Sequence, residues 1–149
     1  MDPTTRSLPS EDVHRLLTGM YDDYLRGDPT AIDARLAQDV TIFDSASDAL
    51  VTGLEELAAL RGRRAEAAAA PSAPAWTETS LTVEDLRVRE VGGVLVATWW
   101  LRVDGTDAHG AAVIPELSRN TAVLQRRADG ALRILHLHED VRQEASPVV

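Results

Sequence analysis

YLRGDPTAIDARLAQDVTIFD, residues 24–44, contains the end of one helix and the start of the two elements that follow it. Gly27 predicts the end of the first helix, because glycine readily takes the left-handed conformation found at helix C-termini. Asp28 is a typical N-cap, and the proline after it suits the first helical position, so a short second helix is predicted to end near Gln38. VTIFD, residues 40–44, then predicts a brief β-strand.

Longer helices are predicted before and after this stretch. Ser10 is a suitable N-cap for a helix that runs to about Arg26. The apolar residues of this helix follow helical spacing at Val13, Leu16, Leu17, Met20, Tyr21, Tyr24 and Leu25. Residues 54–70 predict a third helix, whose end fades into a low-complexity linker at residues 65–75.

Strand patterns dominate the second half of the chain. The strand candidates are residues 76–91, 94–104, 111–128 and 131–141. A Gly-Gly pair separates the first two candidates, and an Asp-Gly pair separates the last two. Such pairs form the tight turns of antiparallel hairpins. Helices followed by antiparallel hairpins predict an α+β fold rather than a doubly wound sheet.

Length and composition restrict the class of protein. The chain has 149 residues, which suits one domain, and we place that domain at residues 10–142, between a polar arm at 1–9 and a loose tail at 143–149. The net charge of −9 argues against binding to nucleic acid or anionic membranes. The chain has no cysteine, no signal-peptide h-region and no apolar run long enough to span a membrane. We therefore expect a cytoplasmic protein.

Three stretches in the right order resemble the nuclear transport factor two-like superfamily, which includes ketosteroid isomerase and the SnoaL-like cyclases. They are residues 24–44, LVTGLEELAAL at 50–60 and SRNTAVLQRRADGALRILHLH at 118–138. Within the superfamily, the closing His-x-His and the strand–acid–loop–glycine pattern are most similar to the association domain of calmodulin-dependent kinase II and its bacterial SnoaL-like relatives.

The resemblance implies a cone-shaped fold in which three N-terminal helices pack on a curved, mostly antiparallel sheet. It further implies a deep, mostly apolar pocket between sheet and helices that takes a small hydrophobic molecule without a cofactor, and commonly a homodimer through the outer face of the sheet. Members of the superfamily carry out several chemistries or only oligomerise, so the fold alone does not identify the reaction.

Asp44 is the first candidate catalytic residue. It ends the predicted strand, at a position that resembles the general-base aspartate of ketosteroid isomerase, and a carboxylate in a dry pocket gains a raised pKa that suits proton transfer. The alternative is an aspartate that only caps the following loop. The isomerase's oxyanion-hole tyrosine would fall at Met20, with Tyr21 and Tyr24 beside it.

Arg102 and Asp104 are two residues apart on a predicted strand and therefore share a face. The kinase association domain has a pocket arginine at the place that matches Arg102, so we expect this side chain in the pocket. Limonene epoxide hydrolase carries a similar Arg-x-Asp, whose partner acid here is Glu139 or Asp140. For Asp104, an exposed ion pair at the strand end is the favoured interpretation.

Several side chains are candidates for the pocket wall. Trp100 shares a face with Arg102 and should point inward with it, while its neighbour points outward. Tyr24 and Met20 on the first helix, Asn120 in mid-strand and Trp76 at the end of the linker complete the predicted substrate-binding set. The alternative for each tryptophan is core packing.

His136 and His138 form a His-x-His pair on the last predicted strand. Alternation places Leu132, Ile134, His136, His138 and Asp140 on one face and the more apolar set, which includes Leu137 and Glu139, on the pocket face. A single bulge would reverse this register. Structural histidines are the favoured interpretation, an acid/base role for His138 comes second, and no metal site is predicted, since a third and fourth ligand at suitable spacing are missing.

Three functions remain open. The first is a cofactor-free acid/base enzyme, such as an isomerase, cyclase, dehydratase or hydrolase. The second is a non-catalytic ligand-binding or association module, and the third is an epoxide-opening enzyme that requires Arg102, Asp104 and a C-terminal acid to converge. Carboxylates locked in salt bridges with arginine would favour the second function, whereas a carboxylate in an apolar wall without a cation beside it would favour the first.

Overall fold

Helices and strands occupy largely separate parts of the chain. The computed structural model describes residues 8–70 and 76–148. Its helices are α1 (Pro9–Arg26), α2 (Pro29–Asp33) and α3 (Gly53–Ala68). Its strands are β1 (Leu36–Phe43), β2 (Val51–Thr52), β3 (Trp76–Val91), β4 (Val94–Asp107), β5 (Glu116–Arg126) and β6 (Leu132–Gln143). Most of the predicted arm and the end of the predicted linker lie outside the described residues.

All six of these strands form one sheet in the order β2-β1-β6-β5-β4-β3. Every neighbouring pair is antiparallel except β1 and β6, which are parallel. Helix α1 contacts β3 and β6, and α3 contacts β1 and β2. The helices therefore cover one face of the sheet, called the inner face below, and the prediction of an α+β fold is confirmed. None of the described helices has the length and apolar character needed to cross a membrane.

The core lies between α1, α3 and the inner face. Helix α1 contributes Val13, Leu16, Leu17, Met20 and Tyr21, and the central strands contribute Leu95, Ala97, Trp99, Leu101, Ala122, Leu124 and Ile134. The apolar spacing of α1 gives it one continuous buried stripe, as the sequence predicts for an amphipathic helix.

The second helix ends at Asp33, so the prediction that it continues to near Gln38 was wrong. Leu36 is buried and pairs with Ile134 of β6, and Ile134 donates its N–H to the carbonyl of Arg35. A helix through these residues would forfeit this pairing. The strand therefore begins four residues before the predicted start.

The fifth strand also begins later than predicted. Pro115 has no N–H to donate to a ladder, and the described residues before it form only isolated bridges. One bridge joins Ile114 to Ser146 through two backbone hydrogen bonds of 2.7 and 3.2 Å. The segment after β6 therefore lies against the loop before β5.

A bulge in β6 changes the predicted side-chain alternation. Leu124 pairs with Ile134 but Val123 pairs with His136, so Leu135 is the extra residue. Leu132 and Ile134 are consequently buried on the inner face, although strict alternation had placed them with the histidines. The predicted inward orientation of Leu137 and Glu139 is the one observed.

A buried carboxylate joins α1 to the chain after α2. The Asp23 side chain is 3% exposed, accepts a hydrogen bond of 2.9 Å from Arg35 Nε and one of 2.5 Å from Arg26, and has its pKa lowered mainly by Arg35. Gly19 makes this possible, because a Cβ there would lie 2.6 Å from the Arg35 guanidinium.

We predict that Asp23→Asn lowers the free energy of unfolding by about 2 kcal/mol at pH 7, the usual magnitude for hydrogen bonds to a charged group. Because the folded pKa of Asp23 lies below its unfolded value, its stabilisation is complete above the unfolded pKa and is lost as pH falls through the folded pKa. Urea denaturation at neutral and acidic pH would measure this. The exposed neighbour substitution Asp22→Asn is the control, and an equal effect of both variants would contradict the prediction.

Candidate active site

A row of polar side chains crosses the inner face of the sheet. Trp99 of β4 pairs with Asn120 of β5, and Asn120 pairs with Glu139 of β6. Trp99 and Asn120 are each 3% exposed. Asn120 donates from Nδ2 to the Ser118 hydroxyl at 3.0 Å, which fixes its amide. Antiparallel pairing thus places an indole, an amide and a carboxyl side by side.

The Tyr21 hydroxyl lies over this row from α1. Trp99 donates from Nε1 to the hydroxyl oxygen at 3.1 Å. Burial raises the pKa of Tyr21 well above its usual range, so this phenol stays protonated at neutral pH and keeps an O–H to donate. From the sequence, Tyr21 was predicted as an apolar position of the first helix and as a neighbour of the expected oxyanion-hole position, but not as a site residue. Its place beside Met20, where the resemblance expects a tyrosine, was the signal that could have identified it.

Glu139 is the carboxyl group of this row. Burial is the main cause of its raised pKa, and the neighbouring charges of Asp44 and Glu78 act in the same direction. A hydrogen bond of 2.8 Å from the Ser45 hydroxyl opposes the shift, as does the charge of Arg64. Parallel pairing of β1 with β6 creates this contact, because it places the residues after β1 beside Glu139.

Two further carboxylates approach Glu139 on the inner face. Glu116 pairs with Val103, which is buried on the inner face, and Glu78 pairs with Gly105. Burial, together with the charges of Glu139, Glu78 and Glu144, raises the pKa of Glu116 to about 7. We call Glu78, Glu116 and Glu139 the inner carboxylate cluster.

Aromatic side chains flank this cluster. Tyr24 donates its hydroxyl to Glu78 at 2.7 Å, and burial and Glu78 raise the pKa of this phenol. Trp76 packs over Gly105, where a Cβ would lie 2.6 Å from the indole ring. Two of the predicted wall residues, Tyr24 and Trp76, therefore lie beside the inner carboxylates.

Asp44 is held in an ion pair with Arg64 of α3. Its Oδ1 also accepts a hydrogen bond of 2.8 Å from the backbone N–H of Ala46, so it caps the loop after β1. The Asp44 side chain is 15% exposed. This is the locked arrangement that the sequence analysis associated with binding or structure.

The prediction that Arg102 and Trp100 point into the interior was wrong. The side chains of Trp99, Leu101 and Val103 are among the buried ones of β4, so strand alternation turns Trp100 and Arg102 outward. Trp100 is 38% exposed. The odd-numbered residues of β4 face the core because they have a larger apolar surface than the even-numbered residues.

The proposed epoxide-opening triad does not converge. On the outer face, Arg102 makes hydrogen bonds of 3.1–3.2 Å to both carboxylate oxygens of Asp104, the exposed ion pair favoured for Asp104. Asp140 pairs with Arg119 on the same face. Glu139 lies on the opposite face, and the described partner of Arg102 is Asp104 rather than either C-terminal acid.

The two histidines of β6 lie on the outer face. His136 Nδ1 is 2.8 Å from the Thr41 hydroxyl of β1, as a structural histidine between strands would be. The His138 ring lies 5.5 Å from that of Phe43 and lines an outer groove of about 380 Å³ that also includes Trp100. Within residues 8–70 and 76–148, no group of three or more His, Asp or Glu side chains could hold a metal ion. Met20, a predicted wall residue, is packed in the core.

We predict that Glu116→Gln stabilises the protein at pH 8 and has little effect at pH 5. The folded pKa of Glu116 is raised, so its protonated form is favoured in the native state and stability is lost as pH rises from about 4.5 through about 7. After a discount for solvent screening at this half-buried site, we expect a gain of about 1 kcal/mol. Urea midpoints at both pH values measure it, with the exposed Glu90→Gln as control; equal effects at both pH values would contradict the prediction.

Proteins similar to this chain are found among solved structures. No protein-family model and no curated protein matches the chain. Among solved structures, ActVI-ORFA from Streptomyces coelicolor is similar with 16% identity, TM-score 0.73, and coverage of 89% of this chain and 96% of that one. The CamKII hub homology domain from Chlamydomonas reinhardtii is similar with 19% identity, TM-score 0.71, and coverage of 91% and 100%.

A third similar structure is a putative ketosteroid isomerase from Shewanella frigidimarina, with 20% identity, TM-score 0.62, and coverage of 85% of this chain and 92% of that one. These three structures share the fold of this chain over most of their length. The chain therefore has the nuclear transport factor two-like fold, as its motifs predicted.

Proposed function

We propose that the protein is a cofactor-free acid/base enzyme that acts on a small hydrophobic molecule bearing a carbonyl oxygen. One observation carries this proposal. Among the described residues, the half-buried Glu139 carboxyl takes its only side-chain hydrogen bond from Ser45 and has no salt-bridge partner. It also lies close enough to the buried Tyr21 hydroxyl to influence its pKa.

Glu139 is the proton carrier in this proposal. A raised pKa makes its carboxylate a stronger base than a solvated glutamate and brings its proton affinity closer to that needed at neutral pH. The ionised carboxylate takes a proton from the carbon next to the substrate carbonyl. The protonated carboxyl then returns the proton to another atom of the same molecule, so no cofactor is consumed.

Tyr21 is the matching hydrogen-bond donor. Its O–H would stabilise the negative charge that develops on the substrate oxygen during proton removal. Trp99 donates to the same phenol oxygen and so holds the ring in place and strengthens the phenol as a donor. Asp44 has a positioning role, because its ion pair with Arg64 fixes α3 against the loop that contains Ser45.

We predict that the protein exchanges the α-protons of ketones such as cyclohexanone and acetophenone for deuterium, and that Glu139→Gln lowers the rate by about 100-fold or more. The carboxamide cannot accept the proton, which is the physical reason. Proton NMR in deuterated buffer measures the exchange directly. The rate should rise with pH through the raised pKa of Glu139.

Two variants control this experiment. Glu90→Gln changes the same group at an exposed position and should keep the wild-type rate. Tyr21→Phe should lower the rate while preserving the pH profile, because it removes the oxygen donor but not the base. Unchanged exchange in Glu139→Gln, or no exchange by the wild-type protein, would exclude the enzyme proposal.

A non-catalytic association module is the second candidate function. The observation that favours it is the Asp44–Arg64 ion pair. A carboxylate held in a salt bridge with arginine favours a structural role over a catalytic one. The outer face also exposes large apolar side chains, with Phe43 41% and Trp100 38% exposed. Exposed aromatic side chains that share a sheet face are suited to a homodimer interface.

We predict that the protein is a homodimer through this face and that Trp100→Glu shifts it toward the monomer. Two buried glutamates would face each other across a two-fold interface, and like charges there are unfavourable. Size-exclusion chromatography with light scattering measures the mass. Leu50→Glu, at an exposed position beside the sheet edge, is the control; a wild-type monomer, or dimers in both variants, would refute this interface.

A further inference from the structure

A groove lies where the ladder between β1 and β6 is interrupted. Leu36 pairs with Ile134 and Thr41 pairs with His136, so the residues between Leu36 and Thr41 have only Leu135 opposite them. Leu135 is the bulge residue of β6, and it lines this groove, whose volume is about 860 Å³. Bulges often lie next to functional sites, because they redirect side chains and end regular pairing.

Arginine side chains supply most of the charge in this groove. Arg126, Arg127 and Arg133 line it, and Asp39 is the acidic residue among the lining residues. The whole chain has a net charge of −9, so the sign of the charge is reversed at this place. A concave surface with positive charge concentrates anions.

Two of these guanidinium groups have no carboxylate partner. Arg126 forms a salt bridge of 3.0 Å with Asp12. In the part of the chain that the structure describes, none of the salt bridges includes Arg127 or Arg133, and none includes Asp39. The carboxylate in the groove therefore leaves both positive charges uncompensated.

The two unpaired arginines are held at defined places. Arg127 donates its N–H to the Ala131 carbonyl at 2.8 Å and accepts from the Gly130 N–H at 2.9 Å, so the hairpin turn fixes its backbone. Arg133 is partly buried, and its guanidinium donates a hydrogen bond of 3.0 Å to the Leu132 carbonyl. Partial burial of a cation costs free energy unless a counter-charge compensates it. These arginines therefore indicate an anionic ligand.

We propose that this groove binds a phosphorylated small organic molecule, with its phosphate group between Arg127 and Arg133. A phosphate monoester carries nearly two negative charges at neutral pH, which matches two guanidinium groups. Guanidinium groups also suit the geometry of phosphate oxygens. The volume of the groove lies in the range of small-molecule sites, so the organic part has room against Leu135 and the Gln38 amide.

Other anions fit this groove less well. A simple carboxylate has a single negative charge and would leave one guanidinium group uncompensated. Nucleic acid and anionic membranes present many charges to an extended surface, and the net charge of −9 would repel them. The proposal does not depend on the acid/base function, because Tyr21 and Glu139 are not among the residues that line the groove.

Four probes separate the charge of the ligand from its organic part. At pH 8 phenyl phosphate is a dianion, benzoate has one negative charge, benzyl alcohol has none, and inorganic phosphate has the charge without the ring. NMR titration of the amide and arginine Nε–H signals, in a buffer without phosphate, gives the dissociation constant and the location of each probe.

We expect phenyl phosphate to bind about tenfold more tightly than benzoate at low salt, with the largest shifts at Arg127 and Arg133. Inorganic phosphate should bind more weakly than phenyl phosphate, and benzyl alcohol should bind most weakly. Added salt should reduce the preference for the dianion, because it screens the charges.

A charge-matched pair of double variants locates the effect. Arg127→Gln with Arg133→Gln should weaken phenyl phosphate binding by about tenfold or more. Arg63→Gln with Arg89→Gln removes the same charge from two exposed arginines that also lack a described salt bridge, and it should leave binding unchanged. If the first double variant fails to fold, Arg127→Gln alone, at an exposed position, should weaken binding by about threefold.

Asp39→Asn gives a change in the opposite direction. Removal of this carboxylate takes a like charge away from the bound phosphate, so phenyl phosphate should bind about threefold more tightly. Weaker binding in this variant would contradict a phosphate beside Asp39.

Several results would overturn the proposal. They are no binding of phenyl phosphate, equal binding of phenyl phosphate and benzoate, and equal losses in the two double variants. Inorganic phosphate that binds as tightly as phenyl phosphate would overturn the organic ligand class. A glutamate-rich peptide that binds the groove more tightly than phenyl phosphate would also overturn it, in favour of an acidic segment of a partner protein.

Discussion

The bulge at Leu135 is the constraint on which the rest of the structure depends. A regular β6 would bury either Ile134 or Leu137, but not both, because strict alternation places residues three apart on opposite faces. The extra residue lets Ile134 fill the core and Leu137 and Glu139 face inward in one strand. Since β6 is also the partner of β1, this register places Ser45 beside Glu139.

The chemistry of the inner face follows from that register and from the cost of burying charge. Glu116 and Glu139 both hold protons more strongly than solvated glutamates, so the native state carries an electrostatic penalty at neutral pH. Elsewhere, buried charge is compensated, as at Asp23 with its two arginines. The proposed function starts from these carboxylates, because groups with shifted pKa values are concentrated at sites of binding and catalysis.

Successive side chains of β4 lie on opposite faces of the sheet. Trp99 points inward and donates a hydrogen bond to Tyr21, whereas Trp100 points outward and lines a groove. The same division separates Glu139 from Asp140, which the sequence could only offer as alternatives. The proposed acid/base site and the proposed dimer interface therefore lie on opposite faces of the sheet.

The sequence by itself determined the α+β class, the amphipathic first helix, the hairpin turns and the superfamily resemblance, because those depend on local spacing and turn residues. It could not determine the end of α2, the bulge in β6 or the face of Arg102, since each depends on which strand pairs with which. Tertiary structure alone brought Tyr21 to Trp99, Arg64 to Asp44 and Ser45 to Glu139. These contacts join residues far apart in the chain, and only the packing of α1 and α3 on a six-stranded sheet selects them.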